Sequence, residues 1–261
     1  MNNIKKHTYL LVGLTGSGKS TTGNCIFNRS GVLSKVSDTP FPSSDSAMGC
    51  TRNFAYKENE RVFVLDTVGF GDPNFKQDYI LKELKRALKE VDNKVDCVVY
   101  VVKKGRFTNQ TVEFFNVIQN KVLKDKCKNN SVLIVTDCND PEWTRRQLND
   151  EFFTKVIENC GGIENAYCFR LRFENEASDE ENRQEAINRM LEFLNSKNFE
   201  KIDLSHIQTK DFDLEWVRNI VPKLIKILAK AFNVDQYIPN NLADEAGNFA
   251  YETLNSTCNQ Q

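Results

Sequence analysis

The chain has 261 residues, a formal net charge of -1, 40% hydrophobic residues and 27% charged ones. That balance is globular, sized for one large domain plus an extension or for two small domains, and it lacks the overall basic field that nucleic-acid binding favours. Met1 to His7 lacks the apolar run of a signal peptide, no stretch is long and apolar enough to span a bilayer, and none of the eight cysteines forms a C-x-x-C pair or a metal-ligand spacing, so a reduced, cytoplasmic protein is expected.

His7 to Val12 is a short apolar run of the kind that forms a buried strand. It runs into Gly13-Leu14-Thr15-Gly16-Ser17-Gly18-Lys19-Ser20, which fits the phosphate-loop spacing G-x-x-x-x-G-K-[ST]. Glycines at such positions let backbone N–H groups crowd round an anion with no Cβ in the way. Lys19 is placed to reach the β- and γ-phosphates, and the Ser20 hydroxyl to sit on Mg²⁺. Gly13, Thr15, Gly16, Ser17, Gly18 and Thr21 complete the candidate nucleotide contacts. A helix over Ser20 to Asn28 should aim its positive end at the same place.

Arg29 to Cys50 carries Pro40, Pro42 and several Ser and Asp residues, and reads as a loop. Thr51 closes it ahead of a strand over Arg52 to Tyr56, and is the candidate switch hydroxyl for Mg²⁺, with Ser44 and Ser46 as rivals. Lys57 to Glu60 reads as a polar turn, and Arg61 to Leu65 as a buried strand. That strand ends in Asp66-Thr67-Val68-Gly69, a D-x-x-G signature in which Asp66 supports the metal and the Gly69 N–H meets the γ-phosphate. Phe70 follows, where Ras-like GTPases carry a Gln that orients the attacking water. A phenyl ring forms no such hydrogen bond, so unaided hydrolysis should be slow.

Phe75 to Val91 has apolar residues at helical spacing, and Val95 to Val102 is the most strand-like run in the chain. Thr108 is placed to cap a helix with Val112, Phe115 and Ile118 on its core face. Ser131 to Val135 is another buried strand, ending in Thr136-Asp137-Cys138-Asn139-Asp140. In the guanine-reading form [NT]-K-x-D, Asp140 takes the Asp position, Asp137 that of the Asn or Thr, and Cys138 that of the Lys. The other register begins at Thr136 and leaves Asn139 in the reading position. Helix is expected over Pro141 to Asn159, strand over Ala166 to Leu171, and helix over Asn182 to Leu194. The alternation describes an α/β domain with a mainly parallel sheet covered on both faces and phosphates at the strands' C-terminal edge.

Beyond Phe199, Leu214, Val217, Ile220, Val221, Leu224, Ile227, Leu228 and Ala231 form a helical stripe, with Arg218, Lys223, Lys226 and Lys230 off it and Pro222 as a kink. Packing on the domain is the favoured role. A basic amphipathic helix also suits an anionic membrane surface or a partner helix. The division expected is a G domain over 6–196 and a helical C-terminal extension over 197–261, the first binding nucleotide without the second.

Four stretches resemble the immunity-associated nucleotide-binding (GIMAP) family of P-loop GTPases, a septin- and Toc-like branch. They are Gly13 to Phe27 (with Gly23-Asn24 after the loop), Asp66-Thr-Val-Gly-Phe-Gly-Asp, the family-specific Gly105-Arg106-Phe107-Thr108 box and Phe173-Glu174-Asn175. The resemblance covers 6–196. It implies GTP and GDP with Mg²⁺ as ligands, Asn175 near the nucleotide, a homodimer or homo-oligomer built through the nucleotide face, and Arg106 acting on a partner's phosphates. The departures are Val68 for a family Pro, and Cys138, which cannot supply the usual Lys stem over the purine. The competing readings are a nucleotide-dependent scaffold with little hydrolysis and a P-loop ATPase that has lost guanine specificity.

Overall fold

The computed structural model describes residues 6–28, 41, 54–67, 77–170 and 179–231. A six-stranded sheet runs in the order β2-β3-β1-β5-β6-β7, formed by β1 (His7–Val12), β2 (Ala55–Glu58), β3 (Val62–Asp66), β5 (Cys97–Lys103), β6 (Ser131–Thr136) and β7 (Ala166–Phe169). Only β2 is antiparallel to its neighbour; the pairs β1–β3, β1–β5, β5–β6 and β6–β7 are parallel. Parallel strands need crossover helices, which cover both faces. The central strands are accordingly apolar on both sides. Leu10, Val98, Tyr100, Leu133 and Val135 face one core, and Leu11, Val99, Val101, Val132 and Ile134 face the other.

The first core is closed by α2 (Gln77–Lys89), α3 (Asn109–Val117) and α5 (Glu151–Glu158). The second is closed by α1 (Lys19–Asn28) and α6 (Asp179–Asn195). Thr108 caps α3 as its position suggests, its hydroxyl accepting from the Thr111 N–H.

Three boundaries differ from the sequence reading. Lys57 and Glu58 belong to β2 rather than to a turn, because an edge strand with a solvated face tolerates charge. The turn comes after them, where the Asn59 side chain accepts from the N–H groups of Arg61 and Val62 at 2.8 and 2.9 Å. The single helix expected over Pro141 to Asn159 is two, α4 (Trp143–Arg146) and α5, because the Asp150 carboxylate takes the Phe153 N–H at 2.7 Å and starts a new helix. In the C-terminal part, α7 (Lys210–Glu215) widens into a π-helical stretch, Trp216–Ile220, before α8 (Val221–Ala231). Pro222 therefore stands directly after this widened stretch, where the regular i to i−4 ladder is already interrupted.

The segment after Ser196 shares the cores of the domain. Phe199 joins the second cluster, and Leu204, Ile207, Phe212, Trp216, Val217, Ile220, Leu224 and Leu228 join the first. A second small sheet pairs β4 (Lys94–Val95) with β8 (Ile202–Asp203). Arg218, Lys223, Lys226 and Lys230 face outward. Among the described residues no helix is long and apolar enough to cross a membrane.

Candidate functional site

Strand β1 delivers the chain to Gly13, and the fit there is tight. A Cβ on Gly13 would stand 2.4 Å from the Val101 carbonyl oxygen, so only glycine lets the loop leave the sheet here. Gly16 and Gly18 take φ of +74° and +94°, conformations that an L side chain seldom adopts. The loop closes into α1, whose first residue is Lys19. The Lys19 ammonium lies inside the loop, 6% exposed, and donates to the Leu14 carbonyl at 3.0 Å. The Thr15 and Ser17 hydroxyls are buried beside it and find no hydrogen-bond partner among the described residues. A concave loop with a buried ammonium and two unspent hydroxyls fits a phosphate chain.

The metal candidates meet next to this loop. Asp66 ends β3, in register with Leu11 of β1, and is fully buried. Ser20 donates to its carboxylate at 2.7 Å across a separation of 46 residues. Thr67 fastens the same strand end to β1 by donating to the Leu11 carbonyl at 2.8 Å. A carboxylate and a hydroxyl so paired are hard oxygen ligands of the kind Mg²⁺ takes alongside phosphates. Thr21 follows Ser20 on the first turn of α1, half-buried.

The Gly105 to Thr108 box forms the rim. Gly105 turns the chain at φ +81°, and Phe107 lodges against Trp143 and Phe153, with ring centroids 5.7 and 5.2 Å away. Thr111 holds the Arg106 carbonyl at 2.7 Å. With both sides anchored, the exposed Arg106 guanidinium leans over its own phosphate loop, Nη1 lying 3.9 Å from where a Gly16 Cβ would be.

At the end of β6 the Thr136 hydroxyl donates to the Ser17 carbonyl at 2.7 Å, tying the strand to the phosphate loop. Asp137, at φ +55°, turns outward to an ion pair with Lys103 at 2.8 Å. Cys138 is buried, and its thiol reaches back to the Asp140 carbonyl at 3.7 Å. The Asp140 carboxylate accepts the Glu142 N–H at 3.1 Å and pairs with Arg146. Cys138, Asn139, Tyr167, Cys168 and Arg170 line a cleft of about 160 Å³ that extends to α6. Burial, reinforced by the adjacent Cys138 thiol, pushes the Cys168 thiol well up, so it stays protonated at neutral pH.

Thr51, Gly69 and Asn175, with Ser44, Ser46 and Phe70, lie outside the described residues. The described candidates form two groups. Gly13 to Thr21 with Asp66 and Arg106 gather at one end, the candidate phosphate and metal end, and Thr136 to Asp140 at the other, the candidate base end. Two contributors escaped the sequence reading. Asn24 clamps the backbone of Phe41, donating to its carbonyl at 2.8 Å and accepting its N–H at 2.9 Å. Gly23 lets α1 approach so closely that a Cβ there would lie 2.9 Å from Leu11 and 3.2 Å from Phe41. The Gly-Asn pair in the family pattern was the signal for both.

The AIG1 family model matches residues 7–215. Immune-associated nucleotide-binding protein 10 of Arabidopsis thaliana is 27% identical over 198 residues, covering 70% of this chain and 39% of that protein. Immune-associated nucleotide-binding protein 9 of the same plant is 22% identical, covering 73% and 55%. The chain thus spans 39% and 55% of the lengths of these two relatives. Among solved structures, Arabidopsis thaliana Toc33 in complex with GDP and Mg²⁺ superposes with a TM-score of 0.51 at 16% identity, over 74% of this chain and 86% of that one, a likeness of fold.

Proposed function

The chain belongs to the AIG1 family, and from that premise we propose that it binds GTP and GDP with Mg²⁺ and hydrolyses GTP slowly as a monomer. The observation that carries the reading is the Ser20–Asp66 hydrogen bond, 2.7 Å long, beside the buried Lys19. Residues from two separate sequence signatures meet where a phosphate loop needs its metal ligands. The curated relatives are named for nucleotide binding, and Toc33 carries GDP and Mg²⁺.

In this reading the 13–18 backbone cradles the phosphates, Lys19 neutralises the β- and γ-phosphate oxygens, and Ser20 and Asp66 hold the metal, with Thr51 joining them. Bound Mg²⁺ supplies charge neutralisation at the phosphates. Arg106 sits at the rim, where its guanidinium can steady charge that builds up as the γ-phosphate leaves. The position of Arg106 over Gly16 supports action on its own domain's phosphates and leaves the group accessible to a second copy docked on that face. Phe70 in place of a water-orienting Gln favours slow turnover by the monomer, with assembly through the nucleotide face raising it. The test is turnover measured at two protein concentrations with and without Mg²⁺. A specific activity that rises with concentration and needs Mg²⁺ is expected. GTP binding with no turnover at any concentration would favour the scaffold reading, and no nucleotide binding at all would refute the proposal.

A further inference from the structure

We propose that Asn139, and not Asp140, reads the edge of the base, so that the site holds a purine with an N1–H donor and a C2 carbonyl acceptor at least as well as it holds guanine. The inference rests on the nucleotide reading above and concerns the base alone.

The placement comes first. Strand β6 ends at Thr136, whose hydroxyl is spent on the Ser17 carbonyl of the phosphate loop at 2.7 Å. That contact marks Thr136 as the residue at the strand end that braces the loop, the role of the first position in [NT]-K-x-D. The reader comes three residues later, at Asn139. The next two residues point elsewhere. Asp137 turns out to Lys103 at 2.8 Å, and Cys138 is buried. Asn139 is exposed at the mouth of the cleft it shares with Cys168 and Arg170, and its side chain has no hydrogen-bond partner among the described residues.

Asp140 is engaged in the turn that leads into α4. One carboxylate oxygen takes the Glu142 N–H at 3.1 Å, the other pairs with Arg146, and its carbonyl accepts the Trp143 N–H at 3.1 Å. It is not among the residues lining the cleft. Turning it to a base would undo that turn and that ion pair together.

The chemistry follows from the side chain. Guanine presents two donors on this edge, N1–H and the N2 amino group, and a carboxylate accepts both. An amide offers one acceptor, Oδ1, and one donor, Nδ2–H. Xanthine, with N1–H beside a C2 carbonyl, satisfies both atoms of Asn139. Guanine satisfies one and sets two donors face to face, and a polar group left unpaired in this way discriminates by about 10- to 100-fold.

The experiment measures dissociation constants of the whole chain for the Mg²⁺ complexes of GDP, XDP and ADP, in the wild type and in Asn139→Asp and Asp140→Asn. The readout is the GDP-to-XDP affinity ratio, which does not depend on the fraction of a weakened variant that is folded. The wild type should bind XDP at least as tightly as GDP. Asn139→Asp should move the ratio toward guanine by about 10- to 100-fold, and Asp140→Asn should leave it within about threefold. A wild type that prefers GDP by more than about tenfold, or an Asp140→Asn ratio displaced toward xanthine, overturns the assignment while leaving nucleotide binding intact. If none of the three diphosphates binds, the nucleotide reading itself fails and this inference falls with it.

Discussion

Replacing Asn24 with alanine removes a clamp whose two halves face the same backbone. The side chain is 1% exposed and Phe41 is fully buried, so water does not reach either bond at 2.8 or 2.9 Å. Alanine leaves the Phe41 N–H and C=O buried without these partners. At about 1–3 kcal/mol for each orphaned group, less what local relaxation recovers, the loss is about 2–4 kcal/mol. For a domain of this size that lowers the melting temperature by roughly 4–16 °C. Differential scanning fluorimetry of the wild type and Asn24→Ala measures it. Asn109→Ala, which removes an exposed bond to Glu113 at 2.9 Å, serves as the control and should shift the midpoint little. An Asn24→Ala protein that melts within about 1 °C of wild type would show that the Phe41 backbone is satisfied in another way.

Arg106→Ala should leave GDP affinity near wild type and slow single-turnover hydrolysis by tenfold or more, since a guanidinium on the departing phosphate is worth about 10³–10⁵ in related enzymes; unchanged turnover would assign the residue to packing. His206 donates through Nε2 to the Val122 carbonyl at 2.9 Å, and burial holds its pKa below the ordinary histidine value, opposed by that hydrogen bond and by Asp203, with Lys126 and Lys124 pushing the same way as burial. The unfolded chain therefore takes up the proton first, so stability is complete above about pH 6.5 and falls as pH drops below it. His206→Gln should flatten that fall between about pH 7.5 and 5.5 in thermal melts. A chain cut after Ser196 should lose its cooperative melt, because the cut strips Leu204, Phe212, Trp216 and Leu224 from the main core; a sharp transition near the wild-type midpoint would mark the C-terminal helices as an accessory.

Much of this was legible because the signals are local. Val98 to Val102 and Val132 to Val135 are apolar without a break, as strands buried on both faces must be. The Gly13 to Ser20 spacing is a backbone requirement written directly into residue types, and the Thr108 cap acts only three residues ahead. What stayed hidden depends on partners distant in the chain. Asn24 reads as an ordinary helix residue until Phe41 arrives from 17 positions away, and Thr136 as a strand end until Ser17 accepts its hydroxyl across 119. The two registers at Thr136 to Asp140 differ by one residue, and pattern alone does not say which side chain turns into the cleft. The last helices were legible in part: their apolar stripe predicts packing on the domain, as found, but not which core residues it meets.

The most direct test of the account is a calorimetric titration of Mg²⁺–GDP into the wild type and Lys19→Ala. The account predicts saturable binding by the wild type that weakens sharply when Mg²⁺ is chelated, and none by Lys19→Ala at the same concentrations, with both proteins melting as folded domains. Equal affinity for the two proteins would contradict it, because the buried ammonium would then not be facing phosphate.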